Sequence, residues 1–288
     1  APIELLEMLN QPVIDDWTWW YFTFDHNKSL TEEKKKKIIE SVPVGTKLWK
    51  NKIKGLRGKS TGLVFINFDR RKHCISKEEA KTYLKNNEVE TVQLTTRRYK
   101  SKKEYGEHFI LFTAGLDTAY SSLSPDTIAM SFAGITNKGK YILLDEKVYN
   151  NANLEEPLAP SDTVKNFVDF LERNRKEWGL ARNVFIDNAD QATIKEFAKY
   201  KRQTGCIYVF NDAWKAKMQI IDRINTQLGW FKDECYYIVD TCVNYCNELD
   251  VYSWKEDKDN EPEDGNDHMV NSCQYSWIPY VNKIGVRK

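Results

Sequence analysis

The sequence has little that points outward or into a membrane. No apolar run approaches the roughly 20 residues needed to cross a bilayer, and no basic, apolar and small-residue succession of a signal peptide opens the chain. Cysteine is sparse: Cys74, Cys206, Cys235, Cys242, Cys246 and Cys273 in 288 residues are too few and too scattered for a disulfide scaffold, so reduced thiols in a cytosolic setting are expected. Net charge of either sign is missing too, with 43 basic against 42 acidic side chains, a formal +1. A nucleotide loop is absent: Gly58-Lys-Ser-Thr61 imitates the end of a Walker A motif, but the glycine required five residues earlier is Ile53. Neither Gly-x-Ser-x-Gly nor a comparable nucleophile elbow occurs. The spacing of Cys235, Cys242 and Cys246, interleaved with Ile238, Val239 and Leu249, lacks paired C-x-x-C and reads as a helical core stripe rather than a zinc site.

What is present describes a folded chain, with 41% hydrophobic, 30% charged and 13% aromatic residues. Its length suits one large domain or two ordinary ones. The near-neutral balance conceals an uneven distribution. Residues 1–50 carry 7 basic and 8 acidic groups, 51–105 carry 15 and 6, and 106–288 carry 21 and 28. The +9 stretch, with Arg70, Arg71, Lys72, Arg97, Arg98, Lys100, Lys102 and Lys103, is either a site for a polyanion or a solvated surface.

Along the chain, an aromatic cluster (Trp17, Trp19, Trp20, Tyr21, Phe22, Phe24) precedes a helix capped by Ser29 or Thr31 and ended by Pro43 and Gly45. Residues 62–68 read as a strand, and 74–106 as an irregular charged connection with one short helix around 77–86. Three strands follow closely: 109–116, a buried apolar run; 127–135; and 141–144, the last two joined by Asn137-Lys-Gly139. Then come a helix from Ser161 or Asp162, a strand 183–187, a helix 191–203, a strand 206–210, an amphipathic helix from about 213 to 228, an apolar segment 235–249, an acidic loop 255–267 and a helix 266–276. Three strands joined by short turns, then helix-strand-helix-strand-helix, predict an α/β protein: a mixed sheet flanked by helices, in the order of the ribonuclease H-like fold.

In that order Asp117 and Asp187 both close apolar strands that can lie side by side. A third acid, Asp267, is available on the final helix. Converging carboxylates without Lys or Arg partners repel unless cations neutralise them, and hard divalent ions prefer oxygen ligands. Each Asp could equally cap a turn or a helix.

Several motifs in order resemble the C-terminal nuclease domain of bacteriophage terminase large subunits, which package and cut viral DNA. They are Ala114-Gly-Leu-Asp-Thr-Ala119 with Asp126-Thr-Ile-Ala129, and Val184-Phe-Ile-Asp-Asn-Ala-Asp190. Ala213-Trp-Lys-Ala-Lys217 with Ile220, Ile221 and Ile224 follows, then Cys246-Asn-Glu-Leu249 with Tyr252 and Trp254, and Asn266-Asp-His268 with Tyr275. Upstream, Trp20 to Asn27, Gly45 to Lys50 and Ile53-Lys-Gly55 resemble the linker from the packaging ATPase. The resemblance implies a linker over 1–60 and a nuclease domain over 61–288, with the charged connection 74–106 lacking a counterpart. Many relatives carry an Asp-Ala pair where this chain has Asn271-Ser272.

Carried over residue by residue, Asp117, Asp187 and Asp267 are the implied catalytic metal ligands for two Mg²⁺ or Mn²⁺ ions, with Asp117 bridging. His268 either orients water, binds the second metal or is a helix-surface histidine. Asp264 and Asp190 are lesser candidates, read as loop solvation and a helix cap. Lys138, Lys140, Lys215 and Lys217 are candidates for holding the DNA backbone. The implied activity is metal-dependent cutting of double-stranded DNA during genome packaging, in the bacterial cytoplasm, encoded by a phage or prophage. The implied partners are the portal protein, the small terminase subunit and the chain's own ATPase domain. Because the chain opens on Ala1 it reads as a fragment beginning after the motor, so ATPase activity is not expected in it. The alternatives are a silent docking module for DNA or portal, and another ribonuclease H-like nuclease of resolvase or transposase type.

Overall fold

The computed structural model describes residues 29–40, 62–84, 88–95, 98–119, 127–150, 154, 158–255, 258–263 and 267–285. The chain divides into two compact units, Ala1–Leu63 and Val64–Lys288. In the first, helix α1 (Glu32–Glu40) begins where Thr31 Oγ1 accepts from the Lys34 amide, and Glu32 and Glu33 suit the positive end of its dipole. The aromatic cluster, Pro43 and Gly45 lie outside the described residues.

The second unit begins with α2 (Arg70–His73), β1 (Cys74–Ile75), α3 (Lys77–Thr82) and a two-stranded ribbon of β2 (Glu88–Thr95) and β3 (Arg98–Tyr105). Next come β4 (Phe109–Ala119), β5 (Thr127–Thr136) and β6 (Tyr141–Asn150), consecutive antiparallel neighbours. Helix α4 (Pro160–Glu177) returns the chain to β7 (Asn183–Ile186), parallel to β4, and α5 (Gln191–Thr204) returns it to β8 (Val209–Asp212), parallel to β7. After α6 (Ile220–Lys232), β9 (Tyr236–Val239) joins the far side of β6, and β1 pairs with β9. The sheet order is therefore β1-β9-β6-β5-β4-β7-β8. Helix α7 (Val243–Val251), the small pair β10 (Trp254–Lys255) and β11 (Lys258–Pro262), and α8 (His268–Trp277) complete the unit.

Four local expectations are corrected. Residues 62–68 form turns and a bridge position at Leu63 rather than a strand. Phe65 and Phe68 are buried by the rings of Phe231 and Tyr252, and the Val64 amide donates to Tyr252 O at 2.9 Å, so burial comes without an extended sheet partner. Residues 74–106 are not irregular, since they supply an edge strand, a helix and the ribbon. The helix expected from 213 starts at Ile220, after a single 3-10 turn at Lys215–Lys217. Cys235, Cys242 and Cys246 do not share one helix, because β9 intervenes, and all three are free, buried thiols.

The packing that positions everything else is α8 against β4 and β5. Every residue of α8 except Asn271 is buried. A helix without a solvated face has to meet its polar groups internally, and small side chains supply several of those contacts. Ser272 Oγ donates to Gly115 O and lies 3.0 Å from Ser131 Oγ, and Thr113 Oγ1 donates to Ser276 O at 2.8 Å. A Cβ on Gly115 would stand 1.9 Å from Ser272 O, so only glycine permits this approach.

Gly115→Ala is therefore expected to destabilise the protein by about 1–3 kcal/mol. Gly229→Ala in α6, where a Cβ meets nothing within 4 Å, should stabilise it by about 0.5–1 kcal/mol. Chemical denaturation of both variants checks the pair, and an unchanged midpoint for Gly115→Ala would contradict the packing described.

Candidate active site

Parallel pairing of β4 and β7 sets Leu116 opposite Ile186. The ladder continues through the Asp187 amide, which donates to Leu116 O at 2.9 Å. Asp117, near the end of β4, and Asp187, just past β7, thus lie together at one edge, both nearly inaccessible. Asp267 is the N-cap residue of α8 and His268 its first residue, so the contact between Ser272 and Gly115 brings this helix end to the same edge. His268 Nδ1 lies 3.2 Å from Asp117 Oδ2.

Asp187 is well supplied with donors. The Ala189 amide donates to its Oδ1 at 2.8 Å, Tyr275 Oη donates to Oδ2 at 3.3 Å, and Lys215 Nζ pairs with Oδ1 at 2.5 Å. Asp267 Oδ2 accepts from Asn271 Nδ2 at 2.9 Å and from Tyr252 Oη at 3.4 Å. The residue at 271 is therefore a neutral donor that holds Asp267, where an aspartate would add charge.

Electrostatics follow from burial. Desolvation raises the Asp117 carboxyl to about 6; the His268 hydrogen bond works against this and the charge of Asp187 adds to it. Burial alone would pull the His268 imidazole down, but the Asp117 hydrogen bond and the charges of Asp117, Asp267 and Glu248 outweigh it and leave it raised. Glu248 on α7 is pushed up to about 7 by burial, against the opposing pull of the Met269 and Val270 amides. Its Oε2 accepts from the Val270 amide at 2.9 Å, so it fastens the first turn of α8.

Glu248 is absent from the sequence candidates, although it lies inside the Cys246-Asn-Glu-Leu249 stretch. Its signal there is an acid beside buried Leu249 and Cys246, legible only once α8 is known to begin beside it. Asp264 lies outside the described residues. Asp190 caps α5, accepting from the Ala192 and Thr193 amides. Lys215 reaches Asp187, and Lys217 Nζ sits 3.4 Å above the half-exposed Trp214 ring on the same segment. Lys138 and Lys140 do not lie near the acids. They occupy the β5–β6 turn, at the end of β5 paired with Phe109, about 26 Å of strand away from Asp117. There Lys140 is already paired with Glu107 at 3.0 Å.

The donor chemistry suits a hard divalent cation: a carboxylate held above its ordinary value by burial and by the charge of Asp187, with two further carboxylates near it. The side chains are not drawn around one point, however, since among the described residues no group of three His, Cys, Asp or Glu side chains could hold a metal ion.

The strand order 3-2-1-4-5, seen in β6-β5-β4-β7-β8 with an acid near the end of the first strand and one just past the fourth, decides the fold. It is ribonuclease H-like. Two solved structures of the large terminase from a thermophilic bacteriophage share the architecture. The complex with ADP matches at 17% identity and TM-score 0.54, over 91% of this chain and 55% of that one. The complex with ATP-gamma-S matches at 18% identity and TM-score 0.53, again over 91% and 55%. The P22 large terminase nuclease domain matches at 9% identity over 77% of this chain and 94% of that one, with TM-score 0.49. The chain thus spans about half the length of the thermophilic phage's terminase. No protein-family model matches the sequence, and no curated protein matches it. Among the described residues no helix is long and apolar enough to cross a membrane.

Because the folded pKa of Asp117 and Glu248 is raised, the metal-free fold binds more protons than the unfolded chain between about pH 4 and 7. Their contribution is present at low pH and is lost as pH rises through about 6 to 7. In chelator, Asp117→Asn should flatten the pH dependence of stability in that window, where a single group accounts for at most about 1.4 kcal/mol per pH unit. Denaturation at several pH values measures this, and parallel profiles for wild type and variant would refute the burial argument.

Proposed function

We propose that the chain is the nuclease domain of a large terminase subunit and hydrolyses phosphodiester bonds of double-stranded DNA at the edge formed by Asp117, Asp187 and α8. The observation that carries this reading is the pairing of β4 with β7, which sets two buried acids side by side beneath a helix bearing Asp267 and His268. The fold held in common with the thermophilic phage's large terminase supports it.

Asp117 and Asp187 would hold divalent metal, Mg²⁺ or Mn²⁺, with Asp267 completing the acidic set. Two such ions supply an activated water and stabilise the leaving oxygen. The chain's own groups prepare that edge. Asn271 and Tyr252 hold Asp267, Glu248 fixes the turn that carries it, and Tyr275 fixes Asp187. His268 Nδ1 lies within hydrogen-bond distance of Asp117 Oδ2, a place from which the imidazole can orient water. Lys215 compensates the charge of Asp187 and is the side chain that must turn away for a cation to take Oδ1. With a phosphodiester present, the same ammonium is placed to meet a phosphate oxygen, and Lys217 on Trp214 lies further along the rim. In this reading the protein works in the cytoplasm of an infected or lysogenic bacterium, with the portal, the small subunit and its own ATPase domain as partners.

The test is cleavage of supercoiled plasmid with Mg²⁺ or Mn²⁺. Wild type should nick and linearise it, chelator should stop the reaction, and Asp117→Ala or Asp187→Ala should lower the rate by at least about 100-fold with the fold intact. Undiminished nicking by either folded variant rejects the assignment. Duplex binding without cleavage by wild type would favour the docking module.

A further inference from the structure

Two thiols meet at the edge of the sheet opposite β8, where β1 is the outermost strand. Cys74 opens β1 and Cys246 lies inside α7; their Sγ atoms are 3.6 Å apart although 172 positions separate them in sequence. Their exposure is unequal. Cys74 is half-buried and open to small solutes, whereas Cys246 is 2% exposed and sealed behind it.

The approach of the two sulfurs is set by the elements that carry them. Cys74 and Ile75 pair with Ile238 and Val239 of β9, and the Asp240 amide donates to Ile75 O at 2.9 Å. Arg70, one turn upstream in α2, reaches across to α7: its Nε donates to Asp250 Oδ2 at 2.9 Å and its terminal nitrogen to Asn247 Oδ1 at 2.7 Å. At the start of α7, Glu146 of β6 accepts from the Asn244 and Tyr245 amides at 2.7 and 2.9 Å. Strand, helix and ion pair thus hold the pair in register from several sides.

Two packed thiols by themselves are ordinary core material. What distinguishes this pair is that its outer member has the surroundings of a reactive cysteine. The hydrogen bond from Cys246 and the guanidinium of Arg70 hold the Cys74 thiol below its ordinary value, against the opposing effects of burial and of Asp240 and Asp250. A partly exposed thiolate beside a cation, with a second thiol in contact behind it, combines an attacking sulfur with a resolving one. Closing 3.6 Å to a disulfide takes about 1.5 Å of approach.

We propose that Cys74 and Cys246 are a redox pair, which a peroxide oxidises to a reversible disulfide between β1 and α7. The Cys74 thiolate attacks one peroxide oxygen, the O–O bond breaks, and the departing hydroxide takes a proton to leave as water. Cys74 is then a sulfenic acid. Cys246 Sγ attacks that sulfur, the S–S bond forms as the S–O bond breaks, and the hydroxide leaves with the Cys246 thiol proton as a second water. Two thiols and one peroxide therefore give one disulfide and two waters, and a dithiol reductant reverses the change. In a reducing compartment the pair rests as thiols, as expected of a cytosolic chain. Cys246 stands two residues before Glu248, so the bond would tie to the edge strand the helix that fastens α8. The proposal stands whether or not DNA is the substrate.

The test treats the full chain in its folded state with hydrogen peroxide and reads the intact mass and the disulfide-linked peptides under non-reducing conditions. Wild type should lose two hydrogens, with the Cys74 peptide joined to the Cys246 peptide, and dithiothreitol should restore both. Cys206→Ser, which removes the other half-buried thiol, should form the same bond. Cys246→Ser should stop at the sulfenic acid, captured on Cys74 by dimedone, and Cys74→Ser should leave Cys246 a thiol. Because Cys74 is half-buried, its serine variant is the one expected to keep the fold, and near-ultraviolet circular dichroism verifies this. A loss of two hydrogens that persists in folded Cys74→Ser overturns the proposal. So does a wild type in which peroxide joins other cysteines, or carries Cys74 to the sulfinic acid with Cys246 still a thiol.

Discussion

A distance of closest approach governs this molecule. Gly115 lacks a side chain where Ser272 presents its carbonyl, and the absence of one carbon lets α8 lie on the sheet. From that contact the rest follows by rigid geometry. A helix seated there by Thr113, Ser131, Ser272 and Ser276 begins near the end of β4, and its first residue, His268, meets Asp117 on that strand. Glu248 then becomes necessary: the first turn of a buried helix carries unpaired amides, and its carboxylate takes one of them. Packing and chemistry are thus one constraint, since no residue at 115 larger than glycine could leave Asp267 and His268 where they are.

Much of this is legible in the sequence. A continuous apolar run ending in Asp117 and a shorter one ending in Asp187 mark both strands and, with helices between the later strands, their adjacency; the bond from the Asp187 amide to Leu116 O is that expectation in atoms. The alternation of strands and helices carries the topology because crossovers have one hand. What is not legible has physical causes. Lys138 and Lys140 flank a core strand and so read as neighbours of the acids, yet strand direction puts their turn at the far edge. Residues 62–68 look like a strand because they are apolar, but their partners are aromatic rings from α6 and the end of α7 rather than another strand. The cysteine spacing imitates one helix because Tyr236–Val239 is apolar in either conformation. Glu248 escapes a linear reading since its partner amides lie more than twenty residues ahead.

Asn271 and Ser272 show how the crowding of acids is eased. Asn271 is neutral at a place where Asp117, Asp187, Asp267 and Glu248 already crowd, and it donates a bond to Asp267 Oδ2. Serine in the next position stays small enough for Gly115 and adds a hydroxyl that bonds its carbonyl. The remaining excess of negative charge is met by Lys215 on Asp187, by His268 on Asp117 and by Arg223, which is held by Gln274 at 2.9 Å and lies within the field of Asp267 and Asp117.

Such an edge presents a difficulty for any nucleic-acid substrate, because phosphates approaching it meet carboxylates of their own sign. Bound cations remove part of the repulsion at the point of reaction, but they do nothing for the neighbouring phosphates, which are attracted or repelled by whatever lies within a Debye length, about 8 Å at physiological salt. An attraction strong enough to hold a duplex therefore has to come from elsewhere on the surface. Along β4 the described residues show such a separation: Asp117 lies near its C-terminal end, and the exposed Lys138 of the β5–β6 turn lies beside its N-terminal end.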